Sequence, residues 1–212
     1  MRLGGGTALA ARWAHRHSTV VDLFTDQESY VRLWERRDAF LRAITQRAGP
    51  TEVLTVLRWN TKIILQGGRE VTLFTSLPQT DKPRSADTVR GTRVPLETNA
   101  EIRARKLWGR MLDSRKLLAR DLYDFAVARH HDSAAVQAAM KNIEVSDLRQ
   151  LHRELQSLPE GWMERAGQRP LIRPVYPKEA RDPAPFVADE VRREIRSRTP
   201  PLHERSPPAW KR

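Results

Sequence analysis

The 212-residue sequence contains no cysteine. This absence excludes disulfide-stapled folds and thiolate metal sites, so carboxylates and the 6 histidines are the side chains left for metal binding. The sequence also lacks an uninterrupted apolar run of membrane-spanning length, and its N-terminus lacks the apolar segment of a secretory signal. We therefore expect a protein of the reducing cytoplasm that has no membrane partner.

Acidic residues are scarce relative to basic ones. There are 26 Asp and Glu residues against 38 Lys and Arg residues, which gives a formal net charge of +12. A surplus of this size favours polyanionic partners such as nucleotides, RNA or anionic lipid, although it says nothing about the fold. The length allows either one domain or two small lobes that share a cleft, and we favour two lobes.

The pattern of residues 1–78 predicts a small mixed sheet with helices. Residues 7–17 are rich in alanine and follow three glycines, which indicates a short helix after a glycine turn. Residues 20–25 are β-branched and aromatic, as in a buried strand, and Asp26 is placed to cap a helix that ends near Arg47. An antiparallel meander is then predicted from three apolar stretches, at residues 52–59, 61–66 and 70–76.

The rest of the chain divides by composition. Residues 79–97 are polar and interrupted by prolines, which predicts a connector. Residues 98–160 predict a helical lobe that completes the cleft, with Thr98 as its first N-cap. Residues 161–212 hold most of the 14 prolines, so we expect a strap or disordered tail in which residues 187–198 are able to form a short charged helix. The predicted fold class is α+β, a small mixed sheet with helices followed by a helical C-terminal lobe and a proline-rich tail.

A glycine run at residues 4–6 leads directly into the first predicted helix, which begins near Thr7. Glycines let backbone N–H groups approach phosphate oxygens, and the positive end of a helix favours anions. On its own, such a run is more often an ordinary structural turn than a phosphate site. The following segment adds Arg16 and Ser18 and then a strand that carries Asp22. The order is therefore a glycine turn, a helix, a basic and hydroxyl segment, and an acid.

This order resembles the start of the nucleotidyltransferase fold in toxins of the AbiEii/AbiGii type. That family carries Gly-Gly-Thr-Ala-Leu, then a helix, then Arg-x-Ser, and then Asp-x-Asp on a strand. In this sequence Gly5 and Gly6 begin the first pattern, and Arg16 and Ser18 supply the second. The resemblance implies a nucleotidyltransferase-like fold for the first lobe. Because three residues precede the glycine run here, we expect that lobe to be N-terminally shortened relative to the family.

A second block gives the closer match to the same toxins. The family carries Lys-Leu at the centre of one helix and Arg-Asp-Leu-Tyr-Asp-Leu on the next helix. Lys106 supplies the first pattern, and residues 120–125 fit the second with phenylalanine in place of the last leucine. The likeness therefore extends over roughly the first two thirds of the chain.

The resemblance implies that an NTP is the substrate and that Mg²⁺ or Mn²⁺ is the cofactor, because in that family two aspartates on the strand hold divalent metal. Asp22 lies at the second of the two acidic positions and is the implied metal ligand. Val20 occupies the first position and offers no oxygen, so we expect the metal site to be incomplete. The meander offers Glu70 as the nearest further carboxylate.

The resemblance also assigns roles to the other residues of the two blocks. A lysine and arginines on one helix are able to reach a triphosphate held by the opposite lobe, and Asp121 then either orients Lys106 or acts as a base. The alternative is a solvated charged helix with internal salt bridges. The implied catalytic residues are Asp22, Lys106 and Asp121, and the implied nucleotide-binding residues are Gly5, Gly6, Thr7, Arg16, Ser18, Lys106 and Arg110.

Three functions remain open from the sequence. The first is a toxin of a toxin–antitoxin or phage-defence pair that moves a nucleotide from an NTP to an acceptor hydroxyl, with the 3′ end of tRNA as the implied acceptor and an antitoxin protein as the implied partner. The second, supported by Val20, is a catalytically degenerate member that binds nucleotide, RNA or a partner protein. The third is a general basic nucleic-acid-binding module, which explains the charge but not the two motif blocks.

Overall fold

The computed structural model describes residues 1–49, 60–89, 91–165 and 167–199, together with the backbone of residues 51–57. The end of one predicted strand, residues 58–59, and the last part of the predicted tail, residues 200–212, lie outside the described residues. Within the described ranges, no helix combines the length and the apolar composition that a membrane crossing requires.

One mixed sheet of seven strands forms a layer of the fold. The strands are β1 (Arg2–Gly4), β2 (Val20–Thr25), β3 (Thr51–Leu57), β4 (Asn60–Leu65), β5 (Arg69–Thr75), β6 (Arg84–Val89) and β7 (Thr92–Glu97). Across the sheet they follow the order β3-β4-β5-β2-β1-β7-β6. β2 pairs in parallel with β5 and antiparallel with β1, while β1 pairs in parallel with β7. The short strand β1 therefore lies inside the sheet, and the glycine turn, residues 4–6, leads from its last residue into the first two residues of α1.

The sheet contains the four predicted strands and three others, β1, β6 and β7. β2 has the predicted bounds, and β3, β4 and β5 form the predicted antiparallel meander. The predicted connector, residues 79–97, instead contains the antiparallel hairpin of β6 and β7, which turns at Gly91 with a φ of 79°. Pro95 lies in β7 and cannot donate to the ladder, yet the fully buried Leu96 pairs with Leu3 of β1 and fixes the hairpin on the sheet.

Ten α-helices are found in the described residues. They are α1 (Gly5–Trp13), α2 (Gln27–Glu35), α3 (Arg37–Ala48), α4 (Asn99–Arg105), α5 (Ala119–Ala126), α6 (Ala128–His131), α7 (Ser133–Met140), α8 (Val145–Gln156), α9 (Pro177–Arg181) and α10 (Ala184–Arg198). The predicted helix from Asp26 to Arg47 is divided in two at Arg36, and Asp26 caps its first half. α4, capped by Thr98 as predicted, continues into a π-helix, Lys106–Asp113.

The helical lobe has its own apolar core. α10, which lies within residues 161–212 of the predicted strap or tail, packs along α8 and α5 and completes this core. The hydrophobic effect explains why the segment is held there, since α10 contributes two fully buried valines. The largest buried apolar side chains of the lobe include Leu107, Met111, Leu122, Phe125, Leu148, Leu151, Val187 and Val191.

A smaller core joins the sheet to the helical lobe. Ala8 and Leu9 of α1 pack against Leu96 of β7 and Ile102 of α4, and each of these four side chains is buried. α1 is therefore packed between the sheet and α4, which continues into the π-helix that carries Lys106. This contact sets the position of the glycine turn relative to the charged residues of the π-helix and α5.

The predicted α+β fold class is confirmed: a mixed sheet with helices is followed by a helical C-terminal part. The division into units at residues 1–78, 79–97, 98–160 and 161–212 stays a prediction. The hairpin in the second range is an addition that the sequence patterns did not require, whereas α10 in the fourth contains the short charged helix that residues 187–198 were expected to be able to form.

Candidate active site

The glycine turn lies where the backbone meets two charged side chains. Gly5 has a φ of 62°, in the left-handed region that favours glycine. A Cβ atom at Gly5 would overlap the carboxylate of Asp22, and a Cβ atom at Gly6 would overlap the guanidinium of Arg16. The two glycines are therefore required so that the side chains of Asp22 and Arg16 can approach the start of α1 closely.

Replacing Gly5 by alanine is expected to destabilise the protein more than the same change at Gly68. Both residues have a positive φ, but a Cβ at Gly68 meets no atom within 4 Å, whereas a Cβ at Gly5 meets Asp22. Backbone strain is common to both variants, so the clash should cost Gly5→Ala about 1 to 3 kcal/mol more in the free energy of unfolding. Urea unfolding of the two variants measures the difference, and equal losses would contradict the close contact.

Thr7 and Ser18 lie together beside the turn. Their hydroxyl oxygens are 2.7 Å apart, and the Thr7 hydroxyl also donates to the carbonyl oxygen of Val20. These bonds hold the first turn of α1 against the start of β2. A cavity of about 690 Å³ opens here, and Thr7, Arg16 and Ser18 are among the residues that line it. Asp22, Lys106 and Asp121 are not among its lining residues, so the cavity and the predicted catalytic side chains do not coincide.

Asp22 lies in the middle of β2, with Gly4 of β1 on one side and Thr72 of β5 on the other. Its side chain is half-buried. Burial raises the pKa of Asp22 above its ordinary value, even though the positive charges of Arg110 and Lys106 act in the opposite direction. A carboxylate with a raised pKa inside a basic cluster is a candidate proton acceptor.

The charged residues of α5 form a buried network with those of the preceding helix. Lys106 Nζ donates to Asp121 Oδ1 at 2.7 Å and to Asp124 Oδ2 at 2.6 Å. Arg110 Nη1 donates to Asp121 Oδ2 at 2.6 Å. Arg16 binds Asp124 with two parallel bonds, from Nε at 2.6 Å and from Nη2 at 2.8 Å. The network brings the two motif blocks of the sequence into direct contact.

The two aspartates of this network remain ionised. Burial alone would raise the pKa of Asp121, but Lys106 and Arg110 outweigh it and lower the pKa to about 2. In the same way Lys106 and Arg16 hold the pKa of Asp124 well below its ordinary value against the effect of burial. A carboxylate this acidic is a poor base. The arrangement therefore favours an orienting role for Asp121, one of the two roles that the sequence left open.

Asp124 and His15 belong to the network although neither is among the predicted site residues. His15 is fully buried, and its Nε2 lies 2.7 Å from Asp124 Oδ1. The sequence contained one signal for Asp124, because it lies three residues after Asp121 and so shares a helix face with it. No sequence signal indicated that the histidine is buried.

Glu97, at the end of β7, is a second residue that sequence reasoning missed. It is fully buried; its Oε1 accepts a hydrogen bond from Arg105 Nη2 at 2.8 Å, and Arg2 Nε lies 3.6 Å away. Its Oε2 has no hydrogen-bond partner among the described residues and lies where a Cβ of Gly4 would be. Burial raises the pKa of Glu97 to about 7, although Arg105 and Arg2 act against this rise.

The raised pKa of Glu97 predicts a pH dependence of stability. Between its ordinary pKa of 4.5 and about 7, the folded chain binds more protons than the unfolded chain, so this group's stabilising contribution is lost as the pH rises. Glu97→Gln should remove that loss, and the stability of the variant relative to the natural chain should rise by up to about 3 kcal/mol across this window. Urea unfolding at several pH values measures it, with the exposed Glu28→Gln as control; a difference that does not change with pH would contradict the prediction.

The side chains around Asp22 do not fit a two-metal site. In the part of the chain that the structure describes, no three His, Asp or Glu side chains are grouped so that they could hold a metal ion. Val20 pairs in register with Glu70, but the Glu70 carboxylate already accepts from Lys62 at 2.7 Å and from Thr72 at 3.2 Å. Within the described ranges, Asp22 thus lacks the neighbouring carboxylates with which a two-metal site would be completed.

Comparison with known proteins identifies the family. No curated protein and no solved structure matches this chain. Residues 1–204 match the family model described as "Nucleotidyl transferase AbiEii toxin, Type IV TA system". The match covers nearly all of the chain and confirms the resemblance, while the roles of the individual site residues stay predictions. The chain therefore belongs to the AbiEii family of nucleotidyl transferase toxins from type IV toxin–antitoxin systems.

Proposed function

We propose that this chain transfers a nucleotide from an NTP to an acceptor hydroxyl. The observation that carries the proposal is the buried network in which Lys106 is held between Asp121 and Asp124. The positive charge of Lys106 also acts on Asp22, where it opposes the rise in pKa that burial causes. Such a network fixes a positive charge at one place in a site of low solvent access. Preorganised charge of this kind stabilises the negative charge that develops during phosphoryl transfer.

The proposed reaction has a balanced course. The acceptor oxygen attacks the α-phosphorus, a new oxygen–phosphorus bond forms, and the bond between the α-phosphorus and the bridging oxygen of the β-phosphate breaks. The proton of the acceptor hydroxyl passes to Asp22, whose raised pKa suits it to hold a proton. Lys106 and Arg110 offset the charge on the departing pyrophosphate. Asp121 acts by orienting these two cations.

The proposed biological setting follows from the family and the charge. The surplus of basic residues favours RNA as the acceptor, and the 3′ end of tRNA presents the required hydroxyl. We place the reaction in the cytoplasm, where NTPs and tRNA are found. Control by a cognate antitoxin and a role in phage defence complete the proposal.

Transfer of label tests the proposal. The full chain is incubated with each of the four α-³²P-labelled NTPs, total tRNA and Mg²⁺ or Mn²⁺, and labelled RNA is separated on a gel. Asp22→Asn should lower the rate about 100-fold or more, since it removes the proton acceptor. Asp38→Asn makes the same change at an exposed position of α3 and should leave the rate unchanged. Absence of labelled RNA with all four NTPs, and of labelled protein when total cell protein replaces tRNA in the same incubation, would overturn the proposal.

Val20 supports a second candidate function, a degenerate family member that binds nucleotide without transferring it. The valine lies two residues before Asp22 on the same face of β2 and brings no oxygen to the site. Val20→Asp distinguishes the two candidates. If the natural chain is degenerate, it binds NTP without labelling any acceptor, and the variant gains transfer. If the natural chain is active, it labels the acceptor without the substitution.

A further inference from the structure

The glycine turn is surrounded by more cations than carboxylates. Three of the cations are paired: Arg16 with Asp124, Lys106 with both Asp121 and Asp124, and Arg110 with Asp121. Two cations in the same electrostatic neighbourhood have no such pairing among the described residues. The five cations are Arg16, Lys106, Arg110, Arg120 and Arg169, against the four carboxylates Asp22, Glu70, Asp121 and Asp124, of which Glu70 is already paired with Lys62.

Arg120 is one of the two unpaired cations. It lies on α5 next to Asp121, and its Nε is buried without a hydrogen-bond partner in the described part of the chain. Burial lowers the pKa of Arg120, and the charges of Arg16 and Arg169 lower it further, against the attraction of Asp121. A buried guanidinium N–H without an acceptor is costly. The arrangement becomes favourable when an anion enters between these arginines.

Arg169 is brought to the same place by an anchored segment. The side chain of Gln168 accepts from the backbone N–H of Ala119 at 2.8 Å and donates to the carbonyl of Leu117 at 2.9 Å. Farther along, the backbone N–H of His17 donates to the carbonyl of Ile172 at 2.8 Å. The backbone on both sides of Arg169 is therefore fixed, while its side chain is exposed to solvent beside the cluster.

We propose that Arg120 and Arg169 bind the phosphate chain of the nucleotide and that this binding requires no divalent cation. The inference concerns the same site as the proposed function and rests on an NTP as its ligand. Planar guanidinium groups donate two parallel hydrogen bonds to phosphate oxygens and keep their charge under all relevant conditions. They supply positive charge that a metal ion would otherwise bring, since Val20 stands where the family has a second carboxylate to hold such an ion.

Calorimetric titration of the full chain tests this inference. ATP is titrated in a buffer with EDTA and in a buffer with Mg²⁺, and the two Kd values should agree within about threefold. Inorganic tripolyphosphate should bind in EDTA and compete with ATP. AMP should bind at least about tenfold more weakly, because it lacks the β- and γ-phosphates that the arginines contact.

Variants locate the binding to the two arginines. Arg120→Gln and Arg169→Gln should each raise the Kd for ATP in EDTA by about 10- to 100-fold. Arg193→Gln removes the same charge from an exposed position of α10 and should leave the Kd unchanged. Arg169 is also exposed, so loss of binding in its variant is not explained by unfolding, and circular dichroism checks both variants.

The outcomes separate this inference from the proposed function. ATP binding that appears only with Mg²⁺, no ATP binding in either buffer, or glutamine variants that bind as tightly as Arg193→Gln would each overturn the inference. Metal-dependent binding with intact nucleotide transfer would overturn it and leave the proposed function standing. Metal-free binding that depends on both arginines, without transfer, supports the inference and counts against the proposed function.

Discussion

Replacing Lys106 by alanine is expected to lower the rate of nucleotide transfer by about 100- to 1,000-fold. The ammonium group donates to Asp121 at 2.7 Å and to Asp124 at 2.6 Å, so its position is fixed before substrate binds. It also acts on the pKa of Asp22, which shows that its charge reaches the proposed reaction centre. A mobile cation or solvent cannot replace a charge held in this way. The measurement is the initial rate of label transfer at saturating NTP.

Lys116→Ala is the matched control for this prediction. Lys116 is exposed and follows the π-helix that carries Lys106, so the same change is made nearby and outside the network. Because Lys106→Ala also leaves two buried carboxylates without their shared partner, circular dichroism must show that the variant is folded. A folded variant whose rate stays within about threefold of the natural chain would refute the role of Lys106.

Asp124→Asn is expected to lower the free energy of unfolding by about 3 to 5 kcal/mol, the largest loss of stability that we predict. The carboxylate accepts from His15 at 2.7 Å, from Arg16 at 2.6 and 2.8 Å, and from Lys106 at 2.6 Å. An asparagine has the same shape but no charge, and its amide nitrogen meets donors instead of acceptors. Arg16 then loses its carboxylate partner inside the protein, and Lys106 loses one of its two. Urea unfolding at neutral pH measures the loss.

The pH dependence provides a second measurement on the same variant. Because the folded pKa of Asp124 lies well below its ordinary value, its stabilising contribution is present above about pH 4 and is lost as the pH falls through the folded pKa. The gap between Asp124→Asn and the natural chain should therefore be widest at neutral pH and should narrow in acid. Asp113→Asn, at an exposed position, should show no gap. A loss below about 1 kcal/mol at neutral pH would show that the network contributes little.

The part of the fold that local pattern controls was predictable from the sequence. β2 was predicted with its bounds because a run of β-branched and aromatic residues indicates a buried strand by itself. The caps at Asp26 and Thr98 were likewise predicted from short-range chemistry. The hairpin at residues 84–97 was not predicted, because Pro83 and Pro95 suggest a connector and because its position depends on the pairing of Leu96 with Leu3, far away in the chain.

The candidate site divides in the same way. The sequence indicated Lys106 and Asp121 through their motif. In the structure Lys106 Nζ lies 2.7 Å from Asp121 Oδ1. No sequence pattern indicated that Glu97 is fully buried, because burial depends on strands and helices that meet only in the folded chain. Arg120 lies inside the recognised motif and Arg169 outside it, and their common neighbourhood follows from the Gln168 anchor on α5. Electrostatic environment is a tertiary property, so a motif alone does not supply it.

The contacts of residues 15–17 with residues much later in the chain affect how a toxin of this kind is synthesised. Arg16 and His15 emerge early from the ribosome, but their partner Asp124 is made much later, and the segment that pairs with His17 comes later still, at Ile172. A nascent chain cannot assemble the charged network until these parts have left the exit tunnel. Products released by translation that stalls before Asp124 has been made therefore lack the network, and with it the arrangement of charges that holds Lys106.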